Sequence, residues 1–534
     1  MSDWSFARVW DGIAAAAPDR EAVVCAGTHR TYGELEDRSA RLASHLWNEG
    51  VRPGDKVAID LVNRPEYLES FYASLKVGAA PVNVNFRYGA EEIGYLLDDS
   101  DAKVVVTEHD FAKEVRKATR RIGTRRGRAW RPRVLQSGDE YEATLAAEQP
   151  DGEWRERTPS GDDLVLLYTG GTTGMPKGVM WRSDDLYVAL WQMGRPGTEP
   201  PDPVEAVRAG KRAGTALPAC PLMHGTGLFI TLSTLAGGGT VVLVARPGLD
   251  AAFIWGEVER NQVRVLTIVG DAFARPLLAA LRAEPERWDL SSLRAITSSG
   301  VTWSPETKRG LLEHLPAVIL LDSLGASEGI MTRAATKAAD AEIKPARFAV
   351  NERVKVLTGD GREVTRGTDE VGLLAVGGHI PLGYYKDAER TAATFRLVDG
   401  VRYSIPGDYA TVDADGTIRL LGRGSATVNT GGEKVYPEEV ELTLHKNVAV
   451  FDCVVIGVPD ARFGETVVAL VQIAEGYYTD EEELRAHCRS RGLAGYKIPR
   501  RVLFVDTLHR APNGKADYKR LRSMAADLLN VTEG

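Results

Sequence analysis

Tyr168-Thr169-Gly170-Gly171-Thr172-Thr173-Gly174-Met175-Pro176-Lys177-Gly178-Val179 places four glycines, three threonines and one lysine within twelve residues. Glycine lets the backbone bend until several N–H groups face one concavity, and such a nest holds anions, phosphate above all. The hydroxyls add donors and Lys177 adds a positive charge, so the chemistry indicated is the holding of a polyphosphate. A Walker loop requires Gly-Lys-Ser/Thr opening a helix. Here Lys177 stands between Pro176 and Gly178, and the spacing excludes that class. A plain surface turn is the weaker reading for such a run directly behind an apolar segment.

The elements that must position this stretch begin with Leu164-Val165-Leu166-Leu167, a buried strand carrying the loop out of a sheet. Upstream, Thr31-Tyr32-Gly33-Glu34-Leu35 leads into a helix with Leu42 and Leu46 on one face, and another helix runs from Tyr67 to Lys76. Strands are expected at 56–61, 80–84 and 103–107, and downstream at 263–270, 293–300 and 318–322. Strands alternating with helices predict an α/β sheet, whose strand ends line a common crevice. After about residue 350, short strands and turns such as Asp413-Ala414-Asp415-Gly416-Thr417 predict an antiparallel, β-rich region. A separate small α/β unit begins near Thr427, and Leu421-Gly422-Arg423-Gly424-Ser425-Ala426 forms a glycine-bearing joint before it.

Composition narrows the function classes. The chain has 534 residues, 43% of them hydrophobic and 26% charged, which excludes wholesale disorder and points to several folding units. A net charge of -8 gives no reason to expect a nucleic-acid partner. Against that background, residues 113–133 hold ten basic residues and one acid, a patch suited to anion or membrane-surface contact if it is more than solvated surface. Residues 194–212 interrupt the α/β rhythm, as a mobile lid or an inconsequential insertion. Cys25, Cys220, Cys453 and Cys488 form no CxxC pair, and Met1 to Arg20 lacks an apolar leader core, so a reduced cytoplasmic setting is expected. The uncharged segment Leu228 to Ala245 contains Gly237-Gly238-Gly239, which predicts helix, turn and strand rather than a membrane span.

Together these stretches resemble the adenylate-forming superfamily of acyl-CoA synthetases, nonribosomal adenylation domains and luciferases, over nearly the whole chain. The opening stretch resembles its phosphate-binding signature, and Asp322-Ser323-Leu324-Gly325-Ala326-Ser327-Glu328 its Tyr-Gly-x-Thr-Glu motif. Ile405-Pro406-Gly407-Asp408 falls where the family has Thr-Gly-Asp. Gly422-Arg423 and Asn429-Thr430-Gly431-Gly432-Glu433-Lys434-Val435-Tyr436-Pro437 resemble its hinge and the loop after it, and Pro512-Asn513-Gly514-Lys515 its C-terminal lysine motif. Within that superfamily, 174–182, 381–386 and 431–440 are most similar to actinobacterial-type acyl-CoA synthetases of fatty-acid and steroid side-chain breakdown.

The resemblance implies a large N-terminal AMP-binding and acyl-binding domain over 1–423, a hinge at 424–426 and a small mobile C-terminal α/β domain over 427–534. It assigns Thr169, Gly170, Gly171, Thr172, Thr173, Gly174 and Lys177 to the ATP phosphates, and Glu328 with Thr172 to Mg2+. Gly300, Val301, Ser323, Leu324, Gly325 and Ser327 would pack on the nucleotide. Asp408 would accept from the ribose hydroxyls, and Arg423 would also touch the nucleotide. Lys515, at the tip of a tight Asn-Gly turn, would reach the carboxylate and α-phosphate. His224, in Pro221-Leu222-Met223-His224-Gly225-Thr226-Gly227, would stand beside the substrate carboxylate, although a lone histidine is as often structural. Gly431, Gly432 and Lys434 would approach ATP or line the path of a thiol. Leu324 stands where the family usually has a stacking tyrosine, Ser327 and Pro406 replace threonines, and Ser425 replaces a charged hinge residue.

The function implied is a two-step acid–thiol ligase using ATP, Mg2+ and coenzyme A on a small-molecule carboxylic acid, fatty or steroid side-chain in type; a homodimer is compatible with it. Transfer of the acyl group to a carrier protein is the alternative enzyme, disfavoured because no carrier domain follows Lys515. A luciferase-like oxygenase is remote. A non-catalytic acyl or nucleotide sensor would be expected to lack Lys515 or Glu328, and both are present.

Overall fold

A computed structural model describes residues 3–125, 131–171, 174–211, 213–246, 248–301, 303–340, 343, 346–423, 427–430, 433–460, 463–510 and 516–529. The N-terminal strands segregate by their period of two. In the strand Lys56–Asp60, Val57 and Ile59 face one core while Ala58 faces another, and Val104, Val105 and Val106 divide the same way. Such strands are buried on both faces, which is why they read as continuous apolar runs.

Two large sheets result. One has the order Gly383–Tyr384, Gly174–Arg182, Leu164–Gly171, Ala80–Asn83, Lys56–Asp60, Ala102–Thr107, Arg133–Gln136, and is parallel from Leu164–Gly171 onward. The other runs Gly329–Thr336, Ile319–Ala326, Ala295–Ser299, Val265–Ile268, Ala216–Pro218, Val241–Leu243, Glu21–Cys25, Thr28–Thr31, with antiparallel strands only at its two edges. Between them lies the principal core, with Trp10, Leu42, Phe71, Leu186 and Leu232 from five intervening helices. Helices Ala251–Arg260, Gly270–Ala283 and Pro305–His314 cover the far face of the second sheet, and Ala90–Ser100 and Ala112–Arg125 that of the first. The expected α/β class holds.

The antiparallel region is a seven-stranded sheet built from Phe348–Ala349 through Thr417–Arg423. Its Asp413–Thr417 turn closes with the Asp413 N–H donating to the Thr417 carbonyl at 2.8 Å. The small C-terminal domain is a five-stranded sheet whose Val450–Asp460 strand sends Cys453 and Val455 to helices Pro437–Leu444 and Glu481–Ser490, and Val454 and Ile456 to helix Tyr518–Leu529. Residues 194–211 carry one short packed element. This helix, Pro203–Arg208, is capped by Asp202 and buries Val207 in the principal core. Leu228 to Ala245 forms the helix Gly225–Ala236 and strand Val241–Leu243, and no helix among the described residues is long and apolar enough to cross a membrane.

Candidate active site

The glycine-rich stretch is the end of a β-hairpin rather than a loop throughout. The strand Leu164–Gly171 continues past its apolar part, and Gly174–Arg182 returns antiparallel, with Thr169 opposite Lys177 and Tyr168 opposite Gly178. Ladder pairing gives these backbone groups partners that composition alone could not reveal. Thr172 and Thr173, at the tip, lie outside the described residues. Gly178 is required where it stands, because a Cβ there would lie 2.6 Å from the Tyr168 ring. The Tyr168 hydroxyl donates to Asp99 Oδ2 at 2.6 Å, fixing that ring over the hairpin.

Asn83 anchors the hairpin from the end of the neighbouring parallel strand. Its Oδ1 accepts from the Tyr168 N–H at 2.6 Å, and its Nδ2 donates to the carbonyls of Tyr168 at 2.9 Å and Met223 at 2.6 Å. Asn63 holds the adjoining segment in the same manner: Oδ1 accepts from the Leu222 N–H at 2.8 Å and Nδ2 donates to the Cys220 carbonyl at 3.0 Å. These two amides fix the residues that lead into His224, which stands at the N-cap position of the helix Gly225–Ala236 without a side-chain capping bond and has its Nε2 buried.

A second hairpin delivers Glu328. The strands Ile319–Ala326 and Gly329–Thr336 pair up to Ala326 opposite Gly329, leaving Ser327 and Glu328 at the turn. The motif Ser323-Leu324-Gly325 is therefore strand, beside Ser299 and Gly300, with Thr297 Oγ1 and Ser323 Oγ 3.4 Å apart. Gly300 takes φ +91°, a left-handed conformation that favours glycine, and turns the chain where strand 295–299 ends. Behind the motif, Lys308 Nζ lies 2.7 Å from Asp322 Oδ2 in a buried ion pair; desolvation still raises the Asp322 carboxyl above its usual range, against the pull of Lys308.

The two hairpins are joined twice. Trp181 Nε1 donates to the Ser327 carbonyl at 2.8 Å, and the Tyr384 hydroxyl donates to Glu328 Oε1 at 2.8 Å. Tyr384 is itself paired to Val179 in the first hairpin's sheet. Lys177 Nζ stands 5.4 Å from the centre of the Tyr384 ring, within cation–π range. Burial lowers the Lys177 ammonium's affinity for its proton and Arg390 adds to that, while Glu328 and Asp387 oppose them. A lysine and a carboxylate thus flank one phenol beside a glycine-rich tip, a cluster fit for a polyphosphate with its cation.

Asp408 and Arg423 face each other as paired residues of adjacent antiparallel strands. Leu324 is half-buried, and Val301 packs against the core outside the second sheet. Lys434 belongs to the strand Glu433–Val435. Lys515, Gly431, Gly432 and the 424–426 joint lie outside the described residues. Sequence reasoning missed Asn83, Asn63 and the role of Tyr384; the signal available was two asparagines, Asn83 closing the strand Ala80–Asn83 and Asn63 just beyond the strand Lys56–Asp60.

The AMP-binding enzyme family matches residues 10–385, and its C-terminal domain matches residues 439–515. The chain belongs to the AMP-binding enzyme family. Among AMP-binding enzymes it is similar to the 3-oxocholest-4-en-26-oate–CoA ligase of Rhodococcus rhodochrous, 40% identical across 94% of this chain and 92% of that protein. It is 42% identical to the medium/long-chain-fatty-acid–CoA/3-oxocholest-4-en-26-oate–CoA ligase of Mycobacterium tuberculosis, across 94% and 93% of the two chains. Among solved structures it is similar to MatB from Rhodopseudomonas palustris at 27% identity, over 98% of this chain and 99% of that one. The TM-score is 0.79 for the ATP-bound form of MatB and 0.71 for its apo form.

Proposed function

We propose that this AMP-forming acid–thiol ligase activates a fatty or steroid side-chain acid and transfers its acyl group to coenzyme A. The observation that carries the reading is the Lys177–Tyr384–Glu328 cluster beside the glycine hairpin; the names of the 40% and 42% identical relatives support the acid class. A carboxylate is a poor acyl donor because its leaving group would be oxide. In the first half-reaction a carboxylate oxygen attacks the α-phosphorus of ATP, the bond to the β-phosphate bridging oxygen breaks, and pyrophosphate leaves. In the second the CoA sulfur attacks the acyl carbonyl and AMP leaves, the thiol proton passing to solvent or a base. Both steps depend mainly on positioning and charge stabilisation.

In this reading Thr169 to Gly174 and Lys177 hold the β- and γ-phosphates, while Gly300, Val301, Ser323, Leu324, Gly325 and Ser327 border the nucleotide. Asp408 holds the ribose, with Arg423 opposite it. Lys515 neutralises charge at the α-phosphate, and His224 sits beside the substrate carboxylate. Gly431, Gly432 and Lys434 serve the thiol step. The oxygen donors of Glu328 and Thr172 fit Mg2+, which supplies positive charge to the departing pyrophosphate when bound. The exposed Lys113, Arg116, Lys117, Arg120 and Arg121 of the helix Ala112–Arg125 support peripheral contact with an anionic lipid surface.

The deciding experiment is ATP- and CoA-dependent AMP release over short, medium, long-chain and steroid acids. Fast release with medium- to long-chain or steroid acids is expected. Thioester formed only on a carrier protein, or no acid dependence, would overturn the reading.

A further inference from the structure

The C-terminal domain meets the N-terminal one through side chains that the chemistry above does not use. Arg275 lies in the helix Gly270–Ala283, where its Nε is 3.2 Å from Asp271 Oδ2. Asp271 is held in turn, its Oδ1 accepting from the Ser304 N–H at 3.0 Å. From this base the guanidinium crosses between domains. Nη2 reaches His445 Nδ1 at 3.2 Å, Nη1 reaches the Val450 carbonyl at 3.4 Å, and the group stands 5.6 Å from the Phe451 ring centre.

A guanidinium only donates, so His445 Nδ1 must accept and its proton must sit on Nε2. That nitrogen faces Asp452 Oδ1 at 3.9 Å. Asp452 is gripped by Arg510, through Nε to Oδ2 at 2.6 Å and Nη2 to Oδ1 at 2.8 Å. Arg510 precedes Lys515 in the same C-terminal segment. Arg275, His445, Asp452 and Arg510 thus stand in series between the helix beside strand 265–268 and the segment that leads to Lys515, the His445–Asp452 step being an approach longer than a hydrogen bond. The chain also fits the ATP-bound form of MatB better than the apo form at the same identity and coverage.

We propose that Arg275 is a positioning residue for the first half-reaction: through His445 it docks the C-terminal domain in the orientation that adenylation uses, and it must release His445 before thioester formation. This rests on the two-step ligase reading. Losing one charge-assisted contact is worth about tenfold in rate.

The test uses the full chain and measures two quantities, acid-dependent ATP–pyrophosphate exchange and thioester formation from supplied acyl-adenylate. Arg275→Ala is expected to slow exchange about tenfold and leave thioester formation unchanged or faster. His445→Leu, which leaves Arg275 on Asp271, should do the same, and the double variant should be no slower than either. The single His445→Leu variant also serves if Arg275→Ala does not fold. Partial recovery is expected with Arg275→Lys. Equal loss in both half-reactions, no change in either, or additive effects in the double variant would overturn the proposal. Wild-type chain without any acid-dependent exchange would instead fail the ligase reading beneath it.

Discussion

Tyr384 donates its hydroxyl to Glu328 Oε1 at 2.8 Å while its ring faces the Lys177 ammonium, so one side chain sets the spacing of a cation and a carboxylate on two different hairpins. Tyr384→Phe keeps the ring and removes the tether. Adenylation is expected to slow about ten- to a hundredfold, as for one hydrogen bond to a charged group. The loss should grow at limiting Mg2+, because a loosened Glu328 would hold the ion less well. Pyrophosphate exchange across a Mg2+ titration checks this; an unchanged Mg2+ dependence would sink it.

Asn83 supports the same site from behind. Its side chain makes three hydrogen bonds to the Tyr168 and Met223 backbone, and it is 7% exposed, so water cannot replace them. Asn83→Ala strands buried backbone groups, each worth about 1–3 kcal/mol, and a loss of roughly 2–4 kcal/mol in unfolding free energy is expected. Both half-reactions should fall together, since the hairpin and the His224 segment move at once. Denaturant unfolding with paired half-reaction assays would report both.

The sites legible in the sequence were those whose chemistry is local. A lysine beyond a glycine-rich run, or Gly416 closing a turn between two strands, needs only neighbours in the chain to be recognised. Tyr384 and Glu328 are 56 residues apart, and Asn83 and Tyr168 are 85 apart, so their contacts exist only once sheets have paired. The sequence of the glycine hairpin predicts a loop for a related reason. Glycine is depleted in strands, and pairing with residues 174–182 overrides that preference. The α/β architecture, by contrast, was written in apolar runs buried on both faces, which few other arrangements satisfy.

Lys515 carries the sharpest test of the proposed division of labour. Lys515→Ala removes a positive charge from the step in which negative charge gathers at the α-phosphate. A loss of at least about a hundredfold in pyrophosphate exchange is expected, comparable to deleting a transition-state donor. Thioester formation from supplied acyl-adenylate should persist, because in the proposed scheme the C-terminal domain has carried Lys515 out of the site before the thiol enters. Equal loss in both assays would contradict the assignment.

Glu441 gives a prediction about pH. Its carboxyl is buried beneath the Val450–Asp460 strand, where Oε1 accepts from the Val455 N–H at 2.7 Å. Desolvation pushes it from 4.5 up to about 8, with the Val455 bond opposing and Glu438 adding to the rise. A raised carboxyl is neutral in the folded state and charged in the unfolded one between those values. Its contribution to stability is therefore full below pH 4.5 and is lost as pH climbs to about 8. Inside that window the slope is about 1.4 kcal/mol per pH unit for one proton. Glu441→Gln keeps the acceptor for Val455 and cannot ionise, so its unfolding midpoint should stay flatter across the window and exceed that of wild type at pH 8. Urea unfolding between pH 5 and 9 measures the difference, and parallel curves for the two proteins would show that Glu441 is charged in the folded chain.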